Sequence, residues 1–252
     1  MTTSSNHLFR MAITGDVAAR AALLSTAEAG DAEAMFYSGV LYDMGRGARV
    51  VAMELDKARS WYERAAAAGH VLAQFALGNM FDNGEGVPQD PMAARHWYEL
   101  AARQGHAEAQ MHFARMQQLG RGGTRSAAGA AIWYQKAADQ GHELAATNLG
   151  ILHYQKEIPD TSDAEAFALF SMAAEKFDGL AHLMLAEMWQ QGRGTKQESA
   201  HALLHYCIAS LLLPTGSNRD RAVSVCEEFF AQYPEFQSEF EAKAAKYVAE
   251  RE

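Results

Sequence analysis

Cysteine, proline and positive charge are all scarce in this chain. With 2 Cys and 5 Pro in 252 residues, it is neither a disulfide-stapled secreted scaffold nor a zinc module built on CxxC pairs. Lys and Arg total 22 against 31 Asp and Glu, a net charge of -9. A phosphate backbone is therefore repelled on average, and no nucleic-acid partner is expected. Long apolar runs are missing too. The stretch from Ile208 to Leu213 carries a Ser and is far too short to span a bilayer, so no membrane insertion is expected. The opening MTTSSNHLFRMAITGD has no basic segment followed by a long apolar one, which argues against a secretory signal and for the cytoplasm. What remains, 49% hydrophobic and 21% charged, suits a soluble globular protein with a large core.

What the chain does have is a repeat. Trp61-Tyr62, Trp97-Tyr98 and Trp133-Tyr134 recur at a spacing of 36 residues, continued by Leu169-Phe170 and His205-Tyr206. Gly69-His70, Gly105-His106 and Gly141-His142 follow the three Trp-Tyr pairs, and small doublets such as Ala101-Ala102 follow all five. Upstream lie Gly-x-Gly loops at Gly45/Gly47, Gly84/Gly86, Gly120/Gly122 and Gly192/Gly194; the fourth unit has Lys156 and Ile158 there instead.

Each unit reads as two antiparallel helices. Ala94, Trp97, Tyr98, Ala101 and Ala102 form one stripe of the second helix. Asp90, Ser126 or Ser162 marks its start, with Pro91 at the first position and Ser162-x-x-Glu165 as a capping box. The Gly of Gly-His ends it. Ala73, Leu77, Gly78 and Phe81 line the first helix, and the column through Gly78 (Gly39, Gly78, Ala114, Gly150, Ala186) is always tiny, as a close helix crossing requires. The expected fold is all-α: a right-handed α-solenoid of about five 36-residue helix pairs over residues 31–214. Residues 1–30 are expected to be a capping half-repeat and 215–252 a helical cap divided by Pro234, all in one continuous solenoid.

The run Ala73, Leu77, Gly78, Phe81, Gly84, Gly86, Val87, Ala94, Trp97, Tyr98, Ala101, Ala102, Gly105, His106 resembles the Sel-one-like repeat (SLR) family, a longer relative of tetratricopeptide repeats. The resemblance covers most of the chain. It implies a protein-binding adaptor, scaffold or regulator, many such proteins being bacterial, and with it a secretion-associated role or an immunity protein that masks a toxin. Some relatives resemble β-lactam-binding proteins with a Cys pair in each repeat; those pairs are absent here, which removes the support for that hydrolase reading.

Other chemistry finds little footing. His70, His106 and His142 are equivalent positions in successive units, too far apart to share one ion. His201 and His205 sit four apart on one helix without a third ligand, so no metal and no cofactor are expected. Cys207 and Cys226 fall on adjacent helices and could face each other, with two buried thiols as the default. The Gly-x-Gly loops lack the Lys-Ser/Thr of a phosphate loop, and the Trp-Tyr pairs are expected in the core. No catalytic constellation stands out, so the chain is not expected to be an enzyme.

By analogy with tetratricopeptide repeats, the concave groove carries the first-helix residues not used for packing. These are Phe36, Val40, Asp43 and Met44, then Leu72, Phe75, Asn79 and Asp82, then Met111, Arg115 and Gln118. They continue with Thr147, Ile151 and Tyr154, then Leu183 and Glu187. Acids outnumber bases in these columns, so the expected partner is another protein presenting an amphipathic or basic segment to a monomer or weak homo-oligomer. The competing reading is that Phe36, Phe75, Met111 and Leu183 merely pad the helix interface.

Overall fold

The computed structural model of the chain describes residues 4–44 and 54–250. Gly45 and Gly47, the first of the expected Gly-x-Gly loops, lie outside the described residues. Among those described, every regular element is helical. The first helices are α1 (Ser5–Ile13), α2 (Val17–Glu28), α3 (Ala32–Asp43), α4 (Leu55–Ala67), α5 (Val71–Asn83), α6 (Pro91–Arg103) and α7 (Ala107–Leu119). There follow α8 (Ala127–Ala138), α9 (Glu143–Tyr154), α10 (Asp163–Ala174), α11 (Gly179–Gln191), α12 (Ser199–Leu212), α13 (Ser217–Gln232) and α14 (Gln237–Ala249). A short 3-10 turn, Pro234–Phe236, stands where Pro234 was expected to divide the C-terminal helices. The expected all-α fold of paired repeats is borne out.

The chain forms two compact units, residues 1–126 and 127–252. In the first, α1 packs on α2, α3 on α4, α5 on α6, and each pair touches the next. In the second, α9 packs on α10 and α11 on α12, while α12 also carries α13 and α14. The N-terminal residues form two packed helices, α1 and α2. Ala19, Leu23 and Ala27 of α2 are buried, and Ser5 Oγ donates to Asp31 Oδ1 at 3.0 Å, fastening α1 to the start of α3.

One column opens every first helix of the five repeats: Asp31, His70, His106, His142 and Asp178. The carboxylates accept in the usual way, Asp31 from the Ala34 amide at 2.6 Å and Asp178 from Leu180 and Ala181 at 2.8 and 3.2 Å. The imidazoles do the same through Nδ1, from Ala73, Ala109 and Ala145 at 3.4, 3.2 and 3.3 Å. The Gly-His pair thus has two tasks. Gly105, at φ +91°, ends one helix and His106 begins the next. Among second helices, Asp90 caps α6 and Ser162 caps α10 as expected. Glu165 turns instead to His153 Nδ1, 3.4 Å away.

The core is built on the second member of each Trp-Tyr pair. Tyr62, Tyr98, Tyr134, Phe170 and Tyr206 are buried. The tryptophans are half-buried, with Trp61 and Trp97 packed against the core, so only the second residue of each pair lies fully inside it. The Arg64 guanidinium lies over Trp61 at 4.2 Å, and Lys136 Nζ lies over Trp133 at 4.1 Å. The tiny column has a different reason than a backbone crossing. A Cβ on Gly39, Gly78 or Gly150 would stand 2.6, 2.5 or 2.7 Å from the ring of Tyr62, Tyr98 or Phe170. Glycine is there to seat a ring. In the fourth repeat Lys156 adopts φ +58°, the left-handed conformation that glycine supplies at the corresponding turn of other repeats.

Candidate functional site

The expected groove columns run along α3, α5 and α7 in the first unit and along α9 and α11 in the second. In the first unit Met44 and Leu72 are exposed. Phe36, Val40, Asp43, Phe75, Asn79, Arg115 and Gln118 are half-buried. In the second unit Ile151 and Tyr154 are half-buried. Phe36 stacks on His70, with ring centroids 4.7 Å apart, and leans on Tyr37. Phe75 meets the rings of His106 and His112 at 4.8 and 5.8 Å, and His112 in turn stacks on Tyr98 at 5.0 Å. The first unit therefore carries two clusters of aromatic and imidazole rings, one around Phe36 and His70 and one around Phe75 and His106, whose rings are half-buried.

Five expected groove residues are buried and offer a partner no free side chain: Asp82, Met111, Thr147, Leu183 and Glu187. A first helix is packed on both flanks, α9 between α8 and α10 and α11 between α10 and α12. Its apolar stripe is therefore wider than that of a helix packed on one side. Thr147 Oγ1 donates to Asp178 Oδ2 at 2.5 Å, and Leu183 belongs to the core around Tyr206 and Phe230.

The acidic field expected along the groove is largely answered from within. Asp82, 6% exposed, accepts from Arg121 at 2.6 Å and has Arg115 at 4.0 Å. Glu187, also 6% exposed, meets Arg221 of α13 at 2.7 Å. Burial pushes the Glu187 carboxyl up, and the Arg221 charge pulls it back. Asp43 accepts from Tyr62 Oη at 3.1 Å and Asn79 from Tyr98 Oη at 2.8 Å. Burial raises both phenols well beyond the ordinary tyrosine value. Tyr206, whose hydroxyl donates to Gln190, is pushed up to about 12 for the same reason.

Two Gly-Arg-Gly loops reach back to earlier helices. Arg121 reaches back 39 residues to Asp82, and Arg193 reaches back 39 to the Tyr154 carbonyl at 2.9 Å while pairing with Asp163 at 2.6 Å. The Arg193 guanidinium also covers the Tyr154 ring at 3.7 Å and holds the Asp163 carboxyl below its ordinary range. The arginines were legible as residues between glycines; their partners were not.

The histidines disperse. His205 Nδ1 faces His182 Nδ1 at 2.8 Å, whereas His201 stacks on Trp189 and meets Glu198. His201 and His205 thus have different neighbours, and burial lowers His205 to about 4. Among the described residues no group of three or more His, Cys, Asp or Glu could hold a metal ion. Among them, too, no helix is long and apolar enough to cross a membrane. Cys207 and Cys226 do face each other, their Sγ atoms 3.2 Å apart.

Helix pairs repeated on one plan, three of them seating a ring on a glycine, define an α-solenoid-like repeat protein. The Sel1 repeat family matches residues 32–70, 71–106, 107–142, 144–176 and 179–212. The chain belongs to the Sel1 repeat family. A solved Sel1 repeat protein from Oxalobacter formigenes is 28% identical, covering 84% of this chain and 86% of that one, with a TM-score of 0.77. The structure of c5321, a protective antigen of uropathogenic Escherichia coli strains with an SLR fold, is 21% identical and superposes with a TM-score of 0.82. That alignment covers 97% of this chain and 54% of the antigen, so the chain spans about half its length. Immunity protein Pa5087 from Pseudomonas aeruginosa aligns at 18% identity over 84% of this chain and 83% of its own, with a TM-score of 0.45, a likeness too loose to bear on function. No curated protein matches the sequence.

Proposed function

We propose that this chain is a non-catalytic scaffold that holds a segment of another protein against its first helices, the segment being amphipathic and bearing Lys or Arg. The observation that carries this reading is a pair of exposed apolar side chains at the first helices of the first unit. Met44 and Leu72 are 42% and 43% exposed, while Phe36 of α3 and Phe75 of α5 are already ordered by His70 and His106. Anchors that are ordered before a partner arrives lose little entropy on binding. The preference for a basic segment rests on the net charge of -9, since Asp82 and Glu187 are already paired within the chain.

The experiment is a pull-down from native lysate with Met44→Glu combined with Leu72→Glu. Both side chains are exposed, so the variant should melt close to wild type, surface changes being worth within about 0.5 kcal/mol. Loss of the wild-type partners by this folded variant is the expected result. Retention of every partner would move the binding site to the second helices or the loops.

A further inference from the structure

We propose that Cys207 and Cys226 form an intramolecular disulfide that staples the last repeat to the C-terminal helices. The two residues lie on different helices, α12 and α13, and both are free thiols whose Sγ atoms are 3.2 Å apart. They are the only cysteines of the chain, so oxidation within one molecule has a single product. Both side chains are well packed, 4% and 8% exposed, but they share a cavity of about 680 Å³. Leu211, Phe230 and Ala244 form part of its wall, and Glu227 and Glu241 also line it. A small organic disulfide fits such a volume and can reach the sulfurs without the cap unfolding.

Either sulfur can donate to the other across the 3.2 Å contact, and that pairing lowers the Cys207 thiol and raises Cys226. The Cys207 thiolate attacks one sulfur of a small disulfide, expelling a thiolate and leaving a mixed disulfide. Cys226 then gives its proton to the expelled thiolate and attacks Cys207 Sγ, expelling the second thiolate, which takes a proton from water. Two protein thiols are oxidised to one disulfide, and the small disulfide is reduced to two thiols. The second step joins sulfurs already adjacent, so it outruns release or exchange of the mixed disulfide. The carboxylates of Glu227 and Glu241 give the route a charge preference: a cationic disulfide enters more readily than an anionic one at low salt.

The test treats the reduced, native full-length protein with cystamine or with oxidised glutathione, followed by acid quench, intact mass and a non-reducing peptide map. The expected product is about 2 Da lighter than the reduced chain, carries no adduct and contains the Cys207–Cys226 link. Cystamine should react at least about threefold faster at low salt, with the gap closing at high salt. The oxidised protein should melt about 5–10 °C above the reduced one. Cys226→Ala should instead stop at a stable mixed disulfide on Cys207. The proposal is overturned if the wild type stops at the mixed disulfide, if the thiols react only in denaturant, or if the linked protein melts no higher. Equal rates for the two reagents at low salt would overturn the cavity as the route of entry.

Discussion

In the repeats a glycine of the first helix lies under a ring of the second, at Gly39 and Tyr62, at Gly78 and Tyr98, and at Gly150 and Phe170. One column caps all five first helices with Asp or His. The C-terminal helices are held by contacts that occur once. Tyr247 Oη donates to the Ala174 carbonyl at 2.9 Å, Arg221 meets Glu187, and Cys207 faces Cys226. Equal contacts repeated along a solenoid share its stability among neighbours, whereas a cap concentrates its hold in a few places. Damage to a repeat should therefore weaken the chain by degrees, and removal of the cap should expose the core at once.

The largest effect tests the cap. Deleting residues 215–252 uncovers Leu183, Leu203, Ile208 and Ala209, which now pack in one core with α13 and α14. The truncated chain should aggregate, as read by size-exclusion chromatography; a soluble, monomeric, fully helical truncation would make the cap an appendage. A repeat should yield more gently. Gly78→Leu drives a side chain into the Tyr98 ring and should cost about 1–3 kcal/mol in chemical or thermal unfolding, as overpacking does. An unchanged unfolding midpoint would show that the glycine does not seat the ring.

The smallest effect separates the two kinds of cap residue within the repeats. Burial lowers His70 and His106 below the ordinary 6.5, so each is held neutral in the folded chain. Unfolding takes up protons between the folded values and 6.5, so their stabilisation is complete above 6.5 and is lost as pH falls through the folded values. Protonation also ends Nδ1 capping, because the nitrogen becomes a donor. Melting temperature should therefore fall on acidification from pH 7.5 to pH 5, and His70→Asp with His106→Asp should flatten that fall. Parallel pH profiles for wild type and variant would remove the histidines from the account.

The recurrence that spreads stability also made the repeats legible. Five copies of each column expose the helix pairs, the tiny residue and the aromatic beside it. The capping histidines could have been read from the same columns, since Asp31 and Asp178 occupy their place in the first and last repeats and Asp is a familiar cap. Single contacts leave no period behind. Tyr247 and Ala174 are 73 residues apart, and nothing in the sequence joins them. The groove was the least legible part. A first helix buries both flanks, so side-chain spacing could not tell Met111 and Leu183, which are buried, from Met44 and Leu72, which are open. Asp82 and Glu187 looked like a free acidic field because Arg121 and Arg221 reach them from distant loops and helices.

The proposed binding face is tested most directly by hydrogen exchange on the purified complex with a captured partner, compared with the free chain. The account predicts slowed exchange concentrated on α3 and α5 around Met44, Leu72 and Phe75, with α4 and α6 unchanged. Protection confined to α4 and α6, around Trp61 and Trp97, would contradict it.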